Sequence, residues 1–505
     1  MNIYEYKIGD IFTPPSAAQL FIEKFNLLNR WLNGESVFDP TMGTGNLIVS
    51  LIEAALKKGC SIDELPLHKL YGNELNTSYF QDAITKLSQL TDNKFIKENF
   101  TNCDVFELNI KEKVDIIFGN PPWMNFNELP ADLKQKYTSL FFEYSLVNKG
   151  SDVLLGNSRV DIAALVIQKS IANFLKDKGD AFFFLPLSLF HNDGATKNFR
   201  KLNVKNLDFS VECIYELNNQ NTFENVSTKY GFAHFKKNKQ VSFPISYYKF
   251  ENGTFVEYIA QPLHQITDPY IVLNKNEKNN PLEKILIPDY AMPRQGVNTC
   301  GCNKIFFIDN IISADKHHYE CSINQQIYLL PKKFIYPLIT SSLFKGQSEP
   351  HKFVLLPYHQ NGYPLSWQEI EQYPELKKYL LIHKNELFNR KGILLNTWIK
   401  KGIWWAMLGV GDYNFYPFKI VWEAYGKKEF NPILIDGKWQ ANQSLHAYIP
   451  CKLKEEASRI LSALKNSSIE KFLKAFQTEG TMNWAQPGKI KKFLITHQNS
   501  SLFDI

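Results

Sequence analysis

The residues best suited to chemistry fall in four short stretches within the first 126 positions. Asp39 ends the run SVFD and is followed by PTMGTGN, where Gly43 and Gly45 permit positive φ and close backbone approach to a ligand. A helix beginning near Asn46 then offers free N–H groups at its start. A tight strand-to-helix turn without a ligand has the same pattern. Glu74, in GNELN, stands just beyond a second strand, where a carboxylate can accept both hydroxyls of a ribose; a helix N-terminal acid reads the same way. Asp104, in NCDVFEL, stands at a third strand end, where it can receive the amino group of an adenine or serve as an ordinary turn aspartate. The fourth stretch, VDIIFGNPPWMNF at 114–126, ends a buried-strand pattern in Asn120, Pro121, Pro122 and Trp123. A turn needs one proline at most. Two in succession stiffen the backbone so that the Asn120 side chain and a neighbouring carbonyl keep one geometry.

These positions need a scaffold that brings strand ends together. Up to about Lys239 short β-rich runs alternate with amphipathic helical stretches, which predicts a mostly parallel α/β sheet. The expected strands are 36–39, 69–73, 114–119, 180–186 and 211–217, with helices from Asn46 to Lys58 and from Asp161 to Lys176. All four stretches would then lie on the carboxyl edge of one sheet, where such folds bind ligands. After about residue 250 the texture turns to Pro-, Tyr-, Asn- and Trp-rich segments, with NKNEKNNP at 274–281 as an exposed linker. A basic helical stretch is expected from about Lys452 to Phe476.

At 505 residues the chain exceeds one ordinary core, and 44% hydrophobic content supplies enough for two. The net charge of +6 is compatible with a polyanionic partner. No basic stretch precedes an apolar run at the start, and no apolar run approaches the roughly 18 residues of a membrane span, so a cytoplasmic protein without membrane contact is expected. Seven cysteines over this length argue against a disulfide framework. Cys300, Cys302, His317, His318 and Cys321 are zinc-ligand types, but their C-x-C spacing is not that of a knuckle; reduced structural cysteines and no metal are expected.

DPTMGTG, GNELN, NCDVFEL and GNPPW, in that order and preceded by IGDIFTPPSAAQLF at 8–21, resemble the S-adenosylmethionine-dependent amino methyltransferases of DNA. Cofactor motifs before the Asn-Pro-Pro-aromatic motif resemble the gamma class of N6-adenine enzymes. The resemblance covers roughly the first 240 residues. It implies a class I, Rossmann-like methyltransferase fold followed by a mixed α+β target-recognition domain, divided as 1–245, a linker at 246–284, and 285–505. It implies that Phe12, Thr13 and Pro14 lie against the methionine part of the cofactor. Asp39, Gly43 and Gly45 would shape its loop, Glu74 would hold the ribose, and Asp104 with Val105 would hold the adenine. Asn120, Pro121, Pro122 and Trp123 would form the catalytic motif, with Trp123 and Phe223 as aromatic walls for the target base. Trp123 departs from the family's usual Tyr or Phe, which bears on pocket size.

The resemblance also supplies a mechanism. The exocyclic nitrogen of adenine is a poor nucleophile because its lone pair is conjugated into the ring. Acceptance of its two hydrogens by the Asn120 side-chain oxygen and the Pro121 carbonyl lets it approach tetrahedral geometry, with catalysis by positioning and fixed dipoles. A base inside a duplex must be flipped out to reach such a pocket. The partners implied are double-stranded DNA and a cognate restriction endonuclease. Alternatives are an amino methyltransferase acting on RNA, on a glutamine amide or on cytosine-N4, and a catalytically silent DNA-specificity module. The large second half opposes the glutamine reading, Asn-Pro-Pro rather than Ser-Pro-Pro opposes cytosine, and the intact Glu74, Asp104 and Asn120 oppose the silent module. No PD-(D/E)-x-K nuclease pattern stands out. In the second half, the stretches 291–309, 332–346 and 402–426 alternate cations with aromatics and amides, and Arg294, Lys345 and Lys419 are candidate DNA contacts. Residues 123–161 form either a lid or a solvated packing helix.

Overall fold

Val114–Gly119 forms a strand because its side chains find apolar partners on both faces: Ile117 joins one core cluster, Ile116 and Phe118 the other. Such two-sided burial is the environment of a parallel strand flanked by helical layers. This is seen in a computed structural model of the chain, which describes residues 11–147, 160–192, 194–217, 222–223, 226, 228–275, 284–347, 349–425, 429–475 and 484–496.

The described chain divides into two units, 1–279 and 280–505. The first is built on an eleven-stranded sheet. Its strands are β1 (Val37–Asp39), β2 (Leu70–Asn73), β3 (Phe100–Thr101), β4 (Val114–Gly119), β5 (Leu175–Pro186), β6 (Asn203–Val204), β7 (Leu207–Glu216), β8 (Tyr230–Lys237), β9 (Ile245–Glu251), β10 (Thr254–Pro262) and β11 (Tyr270–Asn274). The order is β11-β10-β9-β7-β8-β5-β4-β1-β2-β3, with β6 beside β7. From β3 to β5 every neighbouring pair is parallel; β8 enters antiparallel to both β5 and β7. The sheet is therefore mixed, and its parallel half carries the four stretches.

Helices α1 (Pro15–Lys24), α2 (Leu27–Leu32), α3 (Asn46–Lys57) and α4 (Thr77–Leu90) pack on the face that receives Ile116 and Phe118. In α3 the buried residues are Leu47, Ile48, Leu51, Ile52 and Ala55, the i, i+1, i+4, i+5, i+8 spacing of one helical face. Each large aliphatic side chain so buried contributes about 1.5–3 kcal/mol. The opposite face is covered by α5 (Ala131–Glu143) and the helix Ile162–Lys169, which turns into a π-helical segment at Ser170–Phe174.

The linker expected at 246–284 is not one over most of its length. Within 245–274 lie β9, which pairs parallel with β7, and β10 and β11, which follow it by antiparallel pairing, so the first unit continues past 245. Most of NKNEKNNP, from 276 onward, lies outside the described residues. The second unit is irregular and mixed. It contains a four-stranded sheet in the order Arg294–Gln295, His446–Cys451, Phe418–Glu423, Ile433–Asp436, together with smaller sheets. The single basic helix expected near its end is two helices, Lys454–Leu464 and Ser467–Ala475.

Candidate active site

Because β1 to β4 run parallel, their carboxyl ends share one edge, and chain order reverses between β1 and β4, where open α/β sheets leave a crevice. A cavity of about 120 Å³ lies there. Of the residues expected to act, Phe12, Thr13, Asp39, Gly43 and Glu74 line it, joined by Asp104, Val105, Asn120 and Pro122.

The Asp39–Asn46 loop is shaped by backbone chemistry. Gly43 and Gly45 sit at φ 56° and 79°, the left-handed region that glycine enters without penalty. A Cβ on Gly45 would approach Ala83 Cβ to 3.1 Å, so this glycine also sets how closely α3 meets α4. The Gly43 N–H donates to Glu74 Oε2 at 2.8 Å and the Asn76 N–H to Oε1 at 2.8 Å, which fixes the carboxylate at the cavity. Asp39 is buried and accepts the Thr41 N–H at 3.1 Å. Burial, and then the nearby Glu74 charge, hold its carboxyl well above the usual range. Asn73 ties the three loops together: its Nδ2 donates to the carbonyls of Pro40 and Cys103, both at 3.1 Å, and its Oδ1 accepts from Thr101 Oγ1 at 2.7 Å.

Asp104 is buried and held from three sides. Its Oδ1 accepts the Phe106 N–H at 3.0 Å; its Oδ2 accepts Lys136 Nζ at 2.6 Å and Tyr137 Oη–H at 2.9 Å. Both partners come from α5, inside the segment read as either lid or packing helix. Its buried Leu133, Tyr137 and Phe141 pack it down, and Tyr137 also lines the cavity. Desolvation, then the Asp104 charge, push the Tyr137 hydroxyl far above its ordinary pKa, so it remains a donor.

Asn120 is oriented by its amide nitrogen, which donates to the Ile11 carbonyl at 2.8 Å and to Thr13 Oγ1 at 3.2 Å. That leaves Oδ1 as a buried acceptor with no hydrogen-bond partner among the described residues. An orphaned buried acceptor costs roughly 1–3 kcal/mol. Its retention beside a cavity is what a site that binds a donor requires.

Trp123 does not line the cavity. Its ring lies 5.2 Å from Phe223 and 5.8 Å from Tyr230, centroid to centroid. Trp123 and Phe223 are thus neighbours, but in contact, with no slot between them for a third ring; entry of a base between them requires the rings to part. Pro14, Gly45 and Pro121 also stand outside the lining: Pro14 precedes α1, Gly45 precedes α3, and Pro121 is buried. The residues missed by sequence reading are Asn73, Tyr79, Lys136, Tyr137 and Tyr230. Tyr79 sets its ring edge-on to Phe12 at 5.1 Å on the cavity wall. Asn73 lies in GNELN, where its amide type at the end of β2 is the signal for it. Lys419, a candidate DNA contact, is fully buried and donates to the Tyr416 carbonyl at 3.0 Å, so it cannot reach a phosphate. Among the described residues no three His, Cys, Asp or Glu side chains converge as a metal site, and no helix is long and apolar enough to cross a membrane.

The chain matches the family model of N-6 DNA methylases over residues 4–259 and belongs to that family. The type II methyltransferase M.VspI of Vibrio sp. (strain 343) is 27% identical over 123 residues, which are 24% of this chain and 26% of that protein. The type IIL restriction-modification enzyme MmeI, solved in complex with DNA, superposes with a TM-score of 0.54 at 13% identity, covering 93% of this chain and 64% of that one. The chain thus spans less than two thirds of either protein's length in these matches.

Proposed function

We propose that this chain is an S-adenosylmethionine-dependent DNA methyltransferase that modifies the exocyclic N6 of adenine as the modification component of a restriction-modification system. Family membership supports the chemistry, and the unpartnered Asn120 Oδ1 at the cavity carries the reading. The lining fits an adenosine-bearing cofactor. Glu74 would receive the ribose hydroxyls and Asp104 the adenine amino group, while Val105, Ile162 and Val166 give an apolar wall for a ring. The cofactor supplies a methyl group on a sulfonium sulfur. Asn120 Oδ1 and the Pro121 carbonyl would accept the two amino hydrogens of the target adenine, exposing its lone pair to that methyl; no strong base is needed before the N–C bond forms. Ile11 and Thr13 keep the Asn120 amide from turning over. Trp123, with Phe223 and Tyr230, would stack on the extruded base once the aromatic group opens.

The test is incubation of the protein with S-adenosylmethionine and duplex DNA, followed by nucleoside analysis. N6-methyldeoxyadenosine is expected. N4-methyldeoxycytidine as the product, or methylation of RNA in preference to DNA, would overturn the assignment.

A further inference from the structure

The second unit holds an open groove of about 500 Å³ that the catalytic chemistry does not use. It is formed where two sequence stretches rich in cations, amides and aromatics meet: Arg294–Asn298 on one side and Leu408–Tyr413 on the other, closed by Gln443 and Gln486. The floor is backbone against backbone. A Cβ on Gly296 would lie 2.2 Å from the Ala441 carbonyl oxygen, and one on Gly409 2.8 Å from the Gly296 oxygen, so nothing larger than hydrogen fits at either position. Among the described residues that line it, one side chain is charged. The Arg294 guanidinium lies 4.5 Å from the Tyr413 ring centroid, a cation–π contact, and makes no hydrogen bond or ion pair with the described residues. Beside it is an ordered amide chain: Gln443 Nε2 donates to Gln295 Oε1 at 3.2 Å, and Gln295 Nε2 donates to Tyr425 Oη at 2.6 Å.

We infer that this groove reads base edges in the major groove of duplex DNA, with Arg294 on a guanine and the Gln295–Gln443 pair on an adjacent base. This inference rests on the reading of the chain as a DNA methyltransferase. The chemistry is specific to that occupant. Among the described residues no carboxylate lines the groove, so a cation finds no partner among them, and a single arginine among neutral amides is a poor phosphate cluster. A ring-supported guanidinium fork matches the O6 and N7 acceptors of guanine, and a side-chain amide offers the paired donor and acceptor that adenine N7 and N6 require. The Gln443–Gln295–Tyr425 chain couples the two amides, so that they present their hydrogen-bonding groups as one unit.

The experiment is selection of duplexes from a randomised DNA pool by the full chain, without cofactor, followed by sequencing. Wild type, Arg294→Ala, Arg294→Lys and Gln443→Ala are compared, each checked by thermal melting. Wild type should enrich one motif. Arg294→Ala should lose a guanine preference at one position, with affinity for the selected duplex falling roughly 5- to 150-fold while affinity for unselected DNA changes far less. Arg294→Lys, which keeps the charge, should also lose that preference. If Arg294→Ala fails to fold, Arg294→Lys and Gln443→Ala decide. Variants that enrich the wild-type motif with unchanged base frequencies overturn the inference, as does a wild type that enriches no motif. Because selection needs no methyl transfer, a chain that selects a motif but never methylates it would refute the catalytic reading and leave the groove assignment standing.

Discussion

On the proposed reading, removing the Asp104 carboxylate would delete an acceptor for the cofactor's adenine; it also leaves Lys136 without the carboxylate it meets at 2.6 Å. Asp104→Ala is expected to weaken S-adenosylmethionine binding by about 1–3 kcal/mol, the range for hydrogen bonds to a charged group. Calorimetric titration measures this, and unchanged affinity would take Asp104 out of the cofactor site. Trp123 separates two roles that a sequence cannot. Partly exposed and packed on Phe223 and Tyr230, it would give a base a flat face worth about 1–3 kcal/mol. Trp123→Phe should keep most of the activity, while Trp123→Ala loses roughly 10- to 100-fold in turnover with the cofactor still bound. A core role would instead cost about 3–5 kcal/mol of stability. Melting and turnover on both variants distinguish these, and a folded Trp123→Ala enzyme with wild-type turnover would move the stacking role elsewhere. At this scale the strand-end residues were legible because each follows its strand directly in the sequence. Lys136 and Tyr137 were not, since they reach Asp104 across 32 and 33 residues of chain, and nothing in an amphipathic pattern says which loop a helix will cover.

Among the elements, the strand Phe418–Glu423 shows how a cation within an apolar run misleads. FKIVWE puts Lys419 between Phe418 and Ile420, and a cation there suggests a surface contact, yet this strand is paired on both sides and Lys419 is buried. Burial, and then the charge of Lys438, lower its pKa from 10.5 to about 7. Between those values the unfolded chain holds a proton that the folded chain does not, so stability rises with pH across pH 7 to 10.5, by at most about 1.4 kcal/mol per pH unit. Below pH 7 both states are protonated and the dependence vanishes. Lys419→Met should remove this slope and be the more stable variant near pH 7, as judged by denaturant unfolding at pH 7 and pH 9. Equal slopes in both proteins would show that the amine is hydrated. The parallel strands were readable from their apolar runs and following loops. In β9 to β11 the tyrosines and charges hide the alternation, although Asn252-Gly253, both at positive φ, is a hairpin signal between β9 and β10.

For the whole molecule, the proposal requires that one chain hold DNA and a cofactor and bring them to the same amide. A net charge of +6 is small, so its DNA grip must come from local cations rather than overall charge. Affinity for a target duplex should still fall as salt rises, because each neutralised phosphate releases counterions. A flat titration between low and physiological salt would exclude a phosphate-binding surface. The most direct test of the central claim is a paired measurement on Asn120→Ala: single-turnover methyl transfer to DNA, and S-adenosylmethionine affinity by calorimetry. Methyl transfer should fall by about 100-fold or more, since a fixed dipole at the reacting group is lost. Cofactor affinity should change by less than about tenfold, or about 1.4 kcal/mol, because the Asn120 amide bonds Ile11 and Thr13 while the cofactor would have its own ligands in Glu74 and Asp104. Transfer at the wild-type rate, or an affinity that falls as steeply as transfer, would contradict the assignment of Asn120 Oδ1 to the target nitrogen.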